Sequence, residues 1–197
     1  MIRVAIVGHK LAAELIAEYL LRRAGTKVTA VITQANSWQG DMKAWAEGNG
    51  IRCYVGNPNH YADELMIDRP DHILCLQCRT KLGSLLCAVP KAMNPINMHY
   101  SLLPRHAGCD TLNNVISSGD TETGVTWHLM TAEYDAGDIL YQARTRMVPN
   151  ETFHALHMEM TNLAEEHFPR FWDALMAGAI KPRRQDLKLR TYHRRTA

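Results

Sequence analysis

Three side chains in this sequence are the parts needed to move an acyl group onto an amine: the amide of Asn97, the imidazole of His99 and the carboxylate of Asp135. The amide donates to a developing oxyanion, the imidazole handles charge and protons, and the carboxylate fixes the imidazole. Asn97 and His99 stand two apart, Ser101-Leu102-Leu103-Pro104 follows them, and Asp135 comes 36 residues after the histidine in Tyr134-Asp135-Ala136-Gly137-Asp138. If Asn97 and His99 end a strand, their side chains leave from the same face. Asn97 stays neutral at every relevant pH, so its protonation never limits the rate. His99 can donate beside it when protonated, and Asp135 can pass the amine's lost proton onward through water. Taken singly, a histidine after a strand is an ordinary surface residue and an Asp beside Ala-Gly is a turn former. Taken together and in order, they read as a catalytic set.

The elements that must position this set follow from periodicity. Ile2 to Val7 is a continuous apolar run ending at Gly8, and Leu11, Leu15, Ile16, Tyr19 and Leu20 then recur at helical spacing. Lys27 to Thr33 is a second apolar run, so the chain opens as strand, helix, strand, the start of a parallel sheet covered on both faces. A helix near Gly40 to Asn49, a short strand at Ile51 to Tyr54 and a buried strand at Ile73 to Gln77 continue the alternation. Ile96 to His99 is the strand that delivers the catalytic pair. Cys109 to Ser117 reads as a helix, and Gly124 to Met130 and Asp138 to Met147 as strands flanking the loop from Thr131 to Gly137. The last long helix runs from about Glu151 to Met176, with Asn150 as its expected N-cap and Gly178 placed to stop it. The fold class is α/β: a Rossmann-like, mostly parallel twisted sheet with helices on both faces.

At 197 residues the chain is expected to form one catalytic domain over 1–180, followed by a basic tail over 181–197. In that tail Lys181, Arg183, Arg184, Lys188, Arg190, Arg194 and Arg195 face only Asp186. A solvated tail is the plain reading, and a contact for a partner's phosphates the functional one. A formal charge of +2 is too mild to argue for a nucleic-acid surface. Cys53, Cys75, Cys78, Cys87 and Cys109 are odd in number and scattered, as free thiols in a reducing compartment are. Cys75-Leu76-Gln77-Cys78 sits in a buried strand pattern and lacks a second close ligand pair, so no metal is expected. No apolar run approaches the ~20 residues of a transmembrane helix. The first residues lead straight into a strand, which makes the cytoplasm the expected location.

The ordered motifs Asn97-Met98-His99-Tyr100-Ser101-Leu102-Leu103-Pro104, Gly119-Asp120 with Gly124-Val125-Thr126 and His128, and Asp135-Ala136-Gly137-Asp138-Ile139 resemble the folate-dependent formyltransferase family. That family includes glycinamide ribonucleotide and methionyl-tRNA formyltransferases. The resemblance implies transfer of a formyl group from 10-formyltetrahydrofolate to an amine, with Asn97 and His99 on the oxyanion and Asp135 orienting His99. Thr126 and His128 correspond to positions near the family's reaction centre, where Thr126 would hold a water and His128 give a supporting hydrogen bond, the alternative being packed strand residues. Ser101 reads as turn geometry, since no nucleophile-elbow glycines surround it, and the resemblance implies a rigid, cis bend at Pro104. The folate pocket of the family is largely backbone. It would fall here on Gln77, Cys78, Arg79, Thr80, Lys81 and Leu82, and on Thr131, Ala132, Glu133, Tyr134, Ala136 and Gly137 beside Asp135. Arg79 or Lys81 would meet the glutamate tail of the folate.

The acceptor is less legible. His9-Lys10-Leu11-Ala12 replaces the glycine- and serine-rich loop of the purine-pathway members, which argues against glycinamide ribonucleotide. Thr33-Gln34-Ala35-Asn36-Ser37-Trp38-Gln39 carries no cluster of Lys or Arg, which argues against a tRNA acceptor. The motifs look closest to modules that formylate amino acids, free or tethered to a carrier protein. Sugar-nucleotide N-formyltransferases are the alternative, and a non-catalytic folate-binding module is a further one. A dinucleotide-binding oxidoreductase domain is opposed by the missing glycine fingerprint after Gly8. No motif speaks to an oligomeric state.

Overall fold

The computed structural model describes residues 1–34 and 41–194. The loop read above for its missing basic cluster (35–40), the expected helix start at Gly40, and Arg195 in the tail lie outside the described residues. The chain forms two compact units, Met1–Asn97 and the chain from Met98 onward.

In the first unit β1 (Ile2–Gly8), α1 (Leu11–Arg22) and β2 (Thr26–Thr33) make the expected parallel crossover, with Ile2 opposite Thr26 and Val7 opposite Ile32. Consecutive residues Val4, Ala5, Ile6 and Val7 are buried, which requires cover on both faces and explains the unbroken apolar run. α2 (Met42–Gly48) is started by Asp41, whose carboxylate accepts from the N–H groups of Lys43 and Ala44. β3 (Arg52–Val55) then pairs parallel with β2. α3 (Ala62–Asp68) leads to β4 (His72–Leu76), which pairs parallel with β1 on its other side, and α4 (Ser84–Cys87) follows. The strand order in this unit is β3-β2-β1-β4. The last residue of β1 is a glycine because a Cβ at Gly8 would lie 2.6 Å from the carbonyl oxygen of Leu76. α3 and α4 span only 7 and 4 residues, too short to leave a helical period in the sequence.

β5 (Ile96–His99) closes the first unit with Ile96 and Asn97 and opens the second with Met98 and His99. β6 (Ala107–Gly108) and α5 (Thr111–Ser118) follow, then β7 (Glu122–Leu129) and β8 (Ile139–Arg146), an antiparallel pair with Trp127 opposite Tyr141. α6 (Phe153–Met176) buries Leu156, Met160, Leu163, Phe168, Phe171 and Trp172 on one stripe. Its Phe171 ring stacks on Trp127 with centroids 5.3 Å apart. The N-cap of α6 is Thr152, whose hydroxyl accepts from the N–H of Ala155, and not Asn150 as expected. Asn150 instead turns the chain, with φ 59°. Gly178 stands just past the helix in the left-handed region, as expected. The segment after it is largely exposed, as a solvated tail is, but it is tied to the body of the unit where β9 (Tyr192–His193) pairs parallel with β6. The chain is thus an α/β protein with mostly parallel strands, and β7 and β8 form an antiparallel pair.

Candidate active site

Asn97 and His99 end β5 as the alternation requires, so their side chains leave the strand on one face. Asn97 is half-buried and His99 buried. The His99 ring is anchored by Nε2, which donates to the carbonyl of His106 at 2.8 Å. A carbonyl can only accept, so this bond assigns the Nε2 proton. The other ring nitrogen, Nδ1, faces Asp135, whose Oδ2 lies 3.8 Å away. That separation exceeds a hydrogen bond and leaves Nδ1 open to an oxygen placed beside the carboxylate.

Asp135 sits between two histidines. Its Oδ1 lies 3.5 Å from Nε2 of His128, while Nδ1 of His128 donates to the carbonyl of Leu129 at 3.0 Å. Oδ2 also accepts the backbone N–H of Gly108 at 2.8 Å. Burial works to raise the Asp135 carboxyl, but His99, His128 and the Gly108 N–H outweigh it and hold it well below the usual carboxylate range. The result is a half-buried carboxylate that stays ionised between two imidazoles, each with its far nitrogen tied to a backbone carbonyl. Such a pair of rings and a carboxylate can take up and hand on a proton without changing position.

The expected supporting residues are all in this neighbourhood, one with a different task. The Thr126 hydroxyl donates to the Ser101 carbonyl at 2.6 Å and accepts from the Leu103 N–H at 3.2 Å and from Gln142 Nε2 at 2.9 Å. One proton and two lone pairs are thereby spent, and the side chain has no exposure, so Thr126 cannot hold a water. It fixes the turn instead. Ser101 donates to the Arg105 carbonyl at 2.7 Å, a turn bond, and Leu103–Pro104 is cis.

The loop carrying Asp135 exposes Thr131, Ala132, Glu133 and Tyr134, half-buries Ala136 and buries Gly137. The Thr131 hydroxyl donates to the Glu133 carbonyl at 2.9 Å. Gly137 admits no side chain, since a Cβ would collide with the Leu129 carbonyl. In the first unit, Gln77 to Leu82 follows the C-terminal end of β4, with Gln77 at φ 58°. There Thr80 accepts from Gln34, and the Lys81 carbonyl accepts from Asn59. A hollow at the same end of this unit is lined by Gly8, His9, Thr33, Gln34 and Cys78. The C-terminal ends of parallel strands are where open α/β sheets take their ligands. Burial, then the charges of Lys10 and Arg79, lowers His9 to about 4.

Three participants left no readable signal: the His106 carbonyl, the Gly108 N–H and the Gln185 side chain. Two are backbone groups. The third donates to the carbonyls of Asp135 and Gly137 at 2.8 and 2.7 Å from 50 and 48 residues away.

Residues 2–171 match the family model described as formyl transferase. The chain belongs to the formyl transferase family. It is 30% identical over 201 residues to the methionyl-tRNA formyltransferase of Thermotoga maritima, covering 96% of this chain and 64% of that relative. It is 33% identical over 180 residues to that of Geobacter sulfurreducens, covering 85% of this chain and 56% of the relative. The chain therefore spans less than two thirds of the length of these relatives. Among solved structures, the N-formyltransferase from Helicobacter canadensis in complex with folinic acid and dTDP-3-aminofucose superimposes with TM-score 0.84 at 23% identity, covering 99% of this chain and 71% of that one. The phosphoribosylglycinamide formyltransferase from Anaplasma phagocytophilum gives 0.79 at 18% identity, with 99% of each chain covered. At these identities the likeness is one of fold.

Proposed function

We propose that the chain is a folate-dependent N-formyltransferase that moves a formyl group from 10-formyltetrahydrofolate to a primary amine. The observation that supports this reading is Asp135, ionised and half-buried between His99 and His128 in the second unit. The amine attacks the formyl carbon, a tetrahedral oxyanion forms, and its collapse gives the formamide and tetrahydrofolate. Asn97 donates its amide N–H to the oxyanion, where charge appears in the transition state. His99, when protonated on both ring nitrogens, donates to the same oxygen through Nδ1, because its Nε2–H is spent on the His106 carbonyl. Asp135 and His128 take the proton lost by the amine and return it to the leaving nitrogen. The loop from Thr131 to Gly137, held on either side of Asp135 and exposed at its start, suits backbone recognition of the folate ring. The reaction belongs to the cytoplasm, where the five free cysteines stay reduced.

For the acceptor we infer an amine on an amino-acid-type or carrier-tethered metabolite, the class its motifs look closest to. A sugar nucleotide is the second reading, favoured by the relative solved with dTDP-3-aminofucose. The curated relatives act by name on methionyl-tRNA, so that acceptor belongs in the same test. The test is release of tetrahydrofolate from 10-formyltetrahydrofolate across amino acids, N-hydroxyornithine, aminoacyl-carrier protein, dTDP- and UDP-amino sugars, and methionyl-tRNA. Turnover with one class that is lost in His99→Ala supports the reading and names the acceptor. Saturable folate binding without turnover in any of them moves the chain to a binding role.

A further inference from the structure

We infer that residues 183–193 form a strap that positions the reacting groups, with Gln185 acting through Asp135 and Thr191 and His193 acting through His99. The inference rests on the formyl-transfer reading above. The strap lies beyond residues 2–171, which the family match covers.

Its first end holds the loop of Asp135. Arg183 and Ile139 exchange both backbone hydrogen bonds, each at 2.8 Å, which registers the strap beside β8. Two residues on, the buried Gln185 donates to the carbonyls of Asp135 and Gly137. Asp135 has φ 50°, a left-handed conformation that costs a non-glycine residue and must be held by its surroundings. Gln185 grips the peptide on its C-terminal side, and so sets the direction in which the carboxylate points. Arg190 holds the same loop just before Asp135, pairing with Glu133 and donating to the Tyr134 carbonyl at 2.7 Å.

The second end holds the segment behind His99. The His106 N–H donates to the Thr191 hydroxyl at 2.7 Å, and the Ala107 and Cys109 N–H groups donate to the carbonyls of Thr191 and His193, each at 2.9 Å. The His106 and His193 rings stack at 5.4 Å and 7°, with a 3.2 Å contact between their nitrogens. His106 also has positive φ, 54°. Its peptide is therefore held from the strap side while its carbonyl accepts from His99. Gly108, whose N–H reaches Asp135, lies so close to the strap that a Cβ would collide with the His193 carbonyl. Both partners of the reaction thus take their orientation from one segment.

The test uses the full chain with Gln185→Met, Thr191→Val and Thr191→Ser, and Arg184→Ala as an exposed basic control in the same segment. Turnover, the thermal midpoint and amide exchange at Gly108 are measured for each. Gln185→Met and Thr191→Val are expected to lose on the order of 10-fold or more in kcat, as misplacement of a reacting group does. Their midpoints fall, if at all, by too little to unfold the chain at the assay temperature, and Gly108 exchanges faster in Gln185→Met. Thr191→Ser, which keeps the hydroxyl, and Arg184→Ala keep wild-type rates. Wild-type kcat and Gly108 exchange in both Gln185→Met and Thr191→Val would overturn the inference. So would a fall in midpoint that accounts for the lost rate, or a Thr191→Ser as impaired as Thr191→Val. If the unaltered chain turns over no amine at all, the formyl-transfer reading fails separately. The exchange at Gly108 then decides whether the strap holds Asp135.

Discussion

His99 and His106 are joined by a 2.8 Å bond from the ring Nε2 of one to the backbone carbonyl of the other. The ring is therefore oriented from behind by a peptide group, while Asp135 faces the free nitrogen at 3.8 Å. The His106 carbonyl thus fixes the Nε2 proton of the neutral ring, and in the proposed mechanism the carboxylate serves the proton.

Asn97→Ala and His99→Ala each remove a donor to the oxyanion, and each should lower kcat by about 10²-fold or more. Folate binding, read by fluorescence titration, should change little, because the donors act where charge develops. Wild-type turnover in either variant would remove that residue from the mechanism.

Asp135→Asn should alter both activity and the pH dependence of stability. The folded-state carboxyl is held below its unfolded value, so the ionised group contributes stability that is fully present above the unfolded pKa of about 3.9. That contribution is lost as pH falls through the folded value. Urea unfolding should find Asp135→Asn less stable than wild type at pH 7, with the gap closing as pH drops below about 4. A gap independent of pH would contradict the assignment.

Thr126→Val keeps the shape of a fully buried side chain and deletes the hydroxyl that serves Ser101, Leu103 and Gln142. Buried partners left unsatisfied make the expected cost about 2–4 kcal/mol. Chemical denaturation measures it, and a neutral result would mean that water replaces the hydroxyl.

Gly108→Ala should be destabilised more than an exposed glycine in a loop warrants. Its φ of 93° and the nearness of the His193 carbonyl both exclude a Cβ. At least about 1–2 kcal/mol is expected from the backbone alone, with proteolysis near β9 as the accompanying sign of an undocked strap. Gly25→Ala, where a Cβ meets open space, carries the backbone cost without the collision.

The long elements were legible because their causes are local. The apolar run of β1, the helical spacing of α1 and the stripe of α6 each bury a face that periodicity reveals. The N-cap of α6 was misread by two residues, since Asn150 and Thr152 are both good caps and only the turn geometry chooses between them. β6 and β9 span two residues each, too few for any pattern.

The sequence by itself determined that Asn97 and His99 share one face of a strand, because side chains alternate with a period of two wherever a strand forms. Residue chemistry also marked Asp135 as a partner for His99, while His128 was pointed to only by the family resemblance. Only the tertiary structure decided which nitrogen of His99 is free, that Thr126 serves a turn, and that Gln185, Thr191 and His193 return to the reacting groups. Those choices are made by hydrogen bonds between backbone and side chains as far as 85 residues apart, and such bonds leave no periodic or compositional trace.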